Sequence, residues 1–189
     1  MNLFKSKVSS FTLSFILFPI ISASYAADPA SPPNIREYED DEVYMRLVVR
    51  NTDQLSGFYL ARQFPQKAID EILKTFFITP KILNKKFKVL NIDIDSWSII
   101  VDGKPVARIR RDYWKDKWQA VGLSLAHQAT FGWTLMPEAR DLRLDESAGG
   151  NIVFPHQSRP FTLNAHFKTG MAKQGKIKTV IFEDVSCAK

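Results

Sequence analysis

Cysteine is almost absent from this chain of 189 residues, in which Cys187 is the only one. A disulfide within the chain is therefore excluded, and in an oxidising compartment a single thiol can pair only with another molecule. Cys187 follows the last predicted strand, with no histidine nearby in sequence to act as its base. We therefore expect an inert thiol or an intermolecular disulfide at Cys187, and no nucleophilic role.

Long hydrophobic runs are also lacking. The longest, Phe11–Ile21, has about eleven residues, whereas a membrane-spanning helix needs roughly 20. Lys5 and Lys7 precede this run, and the small residues Ser24 and Ala26 follow it. A basic end, a short apolar middle and a small-residue cleavage site are typical of a secretory signal peptide. We predict cleavage near Ala26, no transmembrane segment afterwards, and a soluble product in the periplasm or outside the cell.

The sequence signatures of common catalytic sites are missing. The chain has no Gly-x-Ser-x-Gly elbow and no glycine-rich phosphate loop. His127, His156 and His166 do not stand at the close spacing of a zinc motif, so we predict no metal and no cofactor. A periplasmic metal-binding protein that assembles these three distant histidines is one alternative.

Paired carboxylates for hydrolysis are defined by their separation in space, so sequence spacing does not reveal them. The acids between Glu138 and Glu146 lie in a polar segment that we interpret as a solvated loop. A small envelope hydrolase acting on glycan or peptide is the second alternative. It would require Asp93, Asp95 or Glu138 to be buried and to face another titratable group.

The formal charge of +6 is modest, and it falls to +4 without Lys5 and Lys7 of the predicted signal peptide. A basic chain can bind nucleic acid, but the excess here is spread along an exported protein, so we predict no nucleic-acid partner. An envelope protein or a glycan is the partner that this location suggests.

The 163 residues that follow the predicted signal peptide make one ordinary domain. Prolines and acids in residues 27–41 predict a flexible tether, and residues 42–189 are predicted to form the single domain. Alternating apolar residues predict strands at 43–49, 97–101, 131–135, 152–154, 161–167 and 177–185.

Turn and helix signals complete the expected architecture. Asp102-Gly103 predicts a hairpin, and Pro80 suggests that residues 77–83 form an edge strand or contain a bulge. Apolar residues three and four apart predict a helix pair near 52–75 and one helix near 112–121. Short, evenly spaced strands favour a mainly β fold, with α+β as the alternative, arranged as an antiparallel sandwich.

Two parts of the chain carry a family resemblance. Phe77-Ile78-Thr79 with Leu90–Asp93, and Gly150–Pro155 with Pro160–Leu163 and Val180–Glu183, resemble exported bacterial Ig-like domains. The resemblance implies an antiparallel Ig-like β-sandwich and a binding or accessory role. It assigns no functional residue.

One set of oxygen-bearing residues has the outer spacing of a calcium loop. Asn91, Asp93, Asp95 and Asp102 could supply ligands to a hard cation, but the sixth position is Ser96 where the loop needs glycine. We favour a strand on which Asn91, Asp93 and Asp95 share one solvent-facing side.

The segment 108–118 combines arginines with large aromatic residues. Such side chains dominate the energetics of interfaces, so our candidate partner-binding residues are Arg110, Arg111, Tyr113, Trp114 and Trp118. Alternatively, Trp114 and Trp118 share a helical stripe that docks the helix on the sandwich. The predicted function is a non-catalytic binding or accessory module of the bacterial cell envelope.

Overall fold

The computed structural model describes residues 34–186, so the predicted signal peptide, residues 27–33 and Cys187 lie outside the described part. Eleven strands and four α-helices make up this part. The strands are β1 (Asn34–Glu39), β2 (Val43–Arg50), β3 (Thr75–Asn84), β4 (Val89–Asp93), β5 (Ser98–Val101), β6 (Lys104–Val106), β7 (Ala139–Arg143), β8 (Ser147–Gly149), β9 (Ile152–Pro155), β10 (Phe161–Thr169) and β11 (Ile177–Val185). The helices are α1 (Thr52–Leu60), α2 (Gln66–Leu73), α3 (Arg111–Ala120) and α4 (Leu125–Thr134).

The strands form two antiparallel sheets. In the first sheet the order is β1-β2-β3, and both β8 and β9 pair with the far side of β3. In the second sheet the order is β6-β5-β10-β4-β7, and β11 pairs with the opposite side of β10. The prediction of a mostly antiparallel β fold with helices, in two sheets, is confirmed.

The space between the sheets is filled by alternate residues of the strands. On β2, Val43, Met45 and Leu47 are fully buried, because every second side chain of a strand points to the same face. We call this the sandwich core. Its 24 buried residues come mainly from strands of both sheets.

Strand β3 is covered on both faces, so consecutive residues belong to different cores. Phe76 packs in the sandwich against Phe154 and Phe161. Phe77 points the other way and contacts Phe131 of α4. The four helices thus form a third layer, the helical layer, on the outer face of the first sheet.

Pro80 lies in the middle of this central strand, and pairing with β2 continues in register through it, so both the predicted edge position and the predicted bulge are wrong. Its carbonyl accepts a hydrogen bond from the Gly150 N–H at 3.3 Å, in the gap between β8 and β9. In an antiparallel strand the N and O of one residue face the same neighbour. The missing N–H of Pro80 therefore faces the place where the partner strand is interrupted, and this explains how a central strand accommodates proline.

The helix pair and α3 form where the sequence predicts them. Asn51 caps α1 with a capping box, in which its side chain accepts the Gln54 N–H at 2.8 Å. Gly122 follows α3 with a φ of 62°, the left-handed conformation that glycine adopts at low cost.

The predicted strand through Phe131, Trp133 and Leu135 is wrong, because residues 125–134 form helix α4. Ser124 caps this helix by accepting the His127 N–H. The three apolar residues alternate by coincidence, and of them only Phe131 is fully buried. An alternation of three residues is too short to separate strand from helix.

Two segments predicted to lack structure are strands at sheet edges. Asn34–Glu39 of the predicted tether form β1, which pairs with β2 along its whole length. Ala139–Arg143 of the predicted polar loop form β7, where Leu142 is buried and the other side chains are exposed. Edge strands rich in charged residues resemble loops in composition, which accounts for both errors.

Strand β11 is a third edge strand, and its buried and exposed side chains alternate around Ile181. Ile181 is half exposed between the buried Val180 and Phe182, so this apolar run is covered on one face only. In residues 34–186, no helix combines the length and apolar character needed to cross a bilayer.

Candidate functional site

Helix α4 has an unusual surface because it contains no charged residue. Leu125, Ala129 and Trp133 are spaced four residues apart and so lie on one side of the helix. This side, the α4 face, points to solvent, with Leu125 82% and Trp133 89% exposed. A tryptophan this exposed gains almost nothing from packing within its own chain.

The α4 face continues into a groove beside α1. The groove has a volume of about 420 Å³ and is lined by Phe58, Arg62, Ala129, Thr130, Trp133 and Thr134. We call it the α1–α4 groove. The Arg62 guanidinium lies 3.5 Å above the Phe58 ring and donates to the Phe58 carbonyl at 2.9 Å, so a cation is held beside the exposed aromatic rings.

Contacts beneath the groove fix the relative position of α1 and α4. The Tyr59 and Thr134 hydroxyls are 3.2 Å apart, and the Tyr59 ring packs on Phe64 and Phe131. Burial raises the pKa of Tyr59 to about 12, although the hydrogen bond with Thr134 acts in the opposite direction. Tyr59 is therefore a protonated structural group and no candidate for acid–base chemistry near pH 7.

Two of the sequence-predicted partner residues are in the interior. Trp114 and Trp118 are each 2% exposed and stack at a centroid distance of 4.9 Å. Both contact the Phe131 ring, at 4.7 and 4.9 Å. Both rings belong to the core of the helical layer, together with Phe77 of the first sheet, and this agrees with the alternative that the stripe docks α3 on the sandwich rather than with exposed partner-binding residues.

The other three candidates are dispersed. Arg110 pairs with Asp95, and Arg111 donates to the carbonyls of Gly132 and Met136 at the end of α4. Tyr113 is 42% exposed, with Lys117 above its ring. None of the three lines the α1–α4 groove.

Two of the three acids considered for hydrolysis bind one arginine. Arg108 is nearly buried, and its guanidinium binds the carboxylates of Asp95, at 2.6 Å, and Glu138. Burial lowers the pKa of Arg108, but hydrogen bonds to Glu138 and Asp95 outweigh it and raise the pKa above its usual range. The cluster joins the segment after β4 to the segment after α4, and both carboxylates are about half exposed, so the burial that the hydrolase alternative requires is absent.

The possible cation ligands are not gathered at one point. Asn91 is buried on β4 and donates to Asp141, so its predicted solvent-facing position is wrong. Asp93 accepts the N–H of Asp95, and Asp102 in the hairpin turn pairs with Arg159. Across residues 34–186, no three side chains of His, Cys, Asp or Glu form a group suited to a metal.

The three histidines lie on separate elements. His127 is on α4 against the Phe64 ring, His166 is on β10 beside Thr179, and His156 follows β9. The histidine-based metal site therefore has no support from their positions.

Sequence reasoning missed Phe58, Arg62, Leu125 and Trp133 as site residues. The available signals were Ser124 as a helix cap and ten uncharged residues after it, with apolar residues at steps of four. Together they indicate a helix whose second apolar side has no partner in the domain.

Comparison with known proteins adds little to this geometry. No protein-family model matches the chain, and no curated protein matches it. Among solved structures, a “putative lipoprotein” from Bacillus subtilis is similar over 78% of this chain, with 11% identity and a TM-score of 0.42. The chain spans 38% of the length of that protein. At that TM-score the likeness assigns neither a fold family nor a function.

Proposed function

We propose that this protein is an exported, non-catalytic binding or accessory module of the cell envelope, and that its partner docks on the α4 face and the α1–α4 groove. The observation that carries the proposal is the exposure of Trp133, at 89%, on an uncharged helix. Exposed apolar patches of this kind are typical of interaction sites.

The composition of the surface supports a protein partner. Trp133 and Arg62 belong to two of the three residue types enriched among interface residues with large binding energies. Leu125 and Trp133 are eight residues apart, so the apolar stripe is about 12 Å long at 1.5 Å per helical residue. A linear apolar stripe of this length matches the apolar side of a helix or strand of a partner protein.

Export and family membership are parts of the same proposal. The basic end, short apolar run and small-residue site of residues 1–26 support a signal peptide and a periplasmic or secreted location. The resemblance to exported Ig-like domains supports an accessory role, and the two antiparallel sheets are compatible with it.

The test is capture of partners from envelope extract with the tagged chain and two single variants. Trp133→Ala removes the exposed ring, and Met171→Ala removes a side chain that is 62% exposed at another site. We expect one protein, identified by mass spectrometry, to be captured by the wild type and Met171→Ala. Its affinity for Trp133→Ala should fall about 30-fold, as for a contact worth about 2 kcal/mol.

Equal capture by all three proteins would contradict the proposal. If the wild type instead captures no protein but binds envelope polysaccharide through Trp133, the partner is a glycan and the protein-docking part is wrong. A parallel run with reductant tests Cys187, because loss of the partner on reduction indicates an intermolecular disulfide.

A further inference from the structure

Three cationic side chains lie together on the outer face of the first sheet. The odd-numbered residues 43–49 of β2 point into the sandwich core, so Arg46 and Arg50 point to the outer face. Lys81 of β3 is directly opposite Arg46, and Arg50 is opposite Phe77, where the helical layer begins. We call Arg46, Arg50 and Lys81 the cationic patch. It shares no residue with the α4 face or the α1–α4 groove.

The charges of the cationic patch are poorly neutralised within the chain. In residues 34–186 its one ion pair joins the Arg46 Nε to a carboxylate oxygen of Glu37 on β1, at 3.6 Å. Lys81 is exposed and forms no ion pair or hydrogen bond in that part of the chain. Like charges directly opposite each other on a sheet are destabilising, and Arg46 is opposite Lys81. Three positive charges against one negative charge leave an excess of two.

Two hydrogen bonds fix the position of Arg50. Its Nε donates to the Thr79 hydroxyl at 3.1 Å, and this hydroxyl donates to the Asn151 side-chain oxygen at 2.7 Å. Thr79 is two residues from Lys81 on the same face of β3, so the first bond brings the Arg50 guanidinium toward Lys81. The other N–H groups of this guanidinium have no acceptor in residues 34–186 and are open to solvent. A fixed guanidinium with free donors is suited to bind an oxyanion.

Arg108 shows how the same chain neutralises another partly buried arginine. Burial alone would lower the pKa of Arg108, but its hydrogen bonds to the carboxylates of Glu138 and Asp95 raise the pKa. Arg50 is also partly buried, and no carboxylate binds it, so burial and the neighbouring Arg46 charge lower its pKa. Charges removed from water are normally paired in proteins, so the missing partner of Arg50 points to an anion from outside the chain.

We propose that the cationic patch binds a terminal phosphate group. Such a group carries about 1.5 to 2 negative charges at pH 7 and has three acceptor oxygens, so it matches the charge excess and the number of cations. A monocarboxylate has one charge and would neutralise half of the excess. Inorganic phosphate, a soluble phosphate monoester and a lipid headgroup with a terminal phosphate all present this chemistry.

Titration with potassium phosphate at pH 7 and constant ionic strength tests the site. The arginine Nε–H resonances in a proton–nitrogen NMR spectrum report binding at Arg46 and Arg50. We expect saturable shifts of both resonances, with a dissociation constant on the order of 1 mM. Acetate, as the monocarboxylate control, should bind about tenfold more weakly.

Three variants identify the groups involved. Arg50→Gln keeps a side chain that can reach Thr79 but removes the charge, and it should weaken phosphate binding about tenfold. Lys81→Gln changes an exposed residue, so it should fold normally and weaken binding about threefold. Arg140→Gln on β7 changes an exposed arginine outside the patch and should leave phosphate binding unchanged.

Vesicles identify the source of the phosphate. Sedimentation of the wild type with vesicles that contain phosphatidic acid, but not with pure phosphatidylcholine vesicles, together with reduced sedimentation of Arg50→Gln, would assign a lipid headgroup. Phosphate binding without vesicle binding would assign a soluble phosphate. The proposal is overturned if phosphate gives no saturable shift, if acetate binds as tightly, or if both Arg50→Gln and Lys81→Gln bind phosphate like the wild type.

Discussion

The sandwich core and the core of the helical layer are built from different side chains. Six of the 24 buried residues in the sandwich core are aromatic, whereas in the helical layer six of 12 are. The sandwich is filled from two sides by strands that alternate. The helical layer is filled by a few large rings stacked on one face of the first sheet.

The surfaces over the two cores also differ, because one carries paired charges and the other carries exposed apolar side chains. At the sandwich edge, Lys178 of β11 pairs with Asp40 and Glu42, which lie in the turn between β1 and β2. Over the helical layer, α4 leaves Trp133 and Leu125 largely exposed in residues 34–186. In the proposed function, the sandwich is the scaffold and the helical layer presents the interaction surface.

The largest expected effects on stability come from substituting the neighbouring residues Phe76 and Phe77. Phe76 packs in the sandwich core, and Phe77 packs in the core of the helical layer. Each Phe→Ala change removes a buried ring and should lower the free energy of unfolding by about 3–5 kcal/mol. Hydrogen exchange should then tell the two variants apart. Phe76→Ala should increase exchange mainly in β9 and β10, and Phe77→Ala mainly in α1 and α4.

Each of these variants is the control for the other, because both replace a phenylalanine of the same strand with alanine. If both increase exchange in the same set of amides, the two cores are one cooperative unit and the comparison fails.

A smaller and more local effect is expected at Asn51. Asn51→Ala removes the capping box of α1 and should lower the free energy of unfolding by about 0.5–2 kcal/mol. The exchange of amides in the first turn of α1 should increase, while amides of β10 stay protected. An increase of equal size in β10 would contradict a local role.

The edge cluster of Asp40, Glu42 and Lys178 should make the sandwich edge sensitive to acid. Burial alone would raise the pKa of Asp40, but the Lys178 ammonium and hydrogen bonds from neighbouring N–H groups hold the pKa well below its ordinary value of 3.8. A lowered folded-state pKa stabilises the fold above the unfolded-state pKa, and this contribution is lost as the pH falls below about 4.

Amides of β1 and β11 should therefore lose protection between pH 5 and about pH 2, before those of α1 and α2. Asp40→Asn should be less stable at pH 7 and should show a shallower acid dependence. An unchanged acid dependence in Asp40→Asn would show that the cluster is not the cause.

The smallest effect on stability is expected at the proposed docking surface. Trp133→Ala removes a ring that packs little in the chain, so the free energy of unfolding should change by about 0.5 kcal/mol or less in urea titrations. A loss of several kcal/mol would show that Trp133 belongs to the helical-layer core.

Much of the fold could be predicted where local signals suffice. Asp102 and Gly103 both adopt positive φ, at 49° and 74°, as the hairpin turn predicted from that pair requires. Asn51 and Gly122 similarly mark helix ends through their own chemistry. These positions depend on neighbours in sequence, so the sequence alone is enough.

The candidate site could not be predicted because it depends on which side of each helix is covered. Trp114, Trp118 and Trp133 have the same chemistry, yet two are buried and one is exposed. Their burial is decided by the packing of α3 and α4 over Phe77 of the first sheet, a contact distant in sequence. Because the sequence analysis predicted a strand at 131–135, it could not identify the α4 face.

The most direct test of the central claim uses a photo-crosslinking amino acid in place of Ala129, at the centre of the α4 face. The control carries it in place of Met171, which is exposed outside this surface. After illumination in intact cells, our account predicts one partner crosslinked through position 129 and none through position 171. Crosslinking of the same partner through position 171 and not through position 129 would contradict the assignment of the helical layer as the interaction surface.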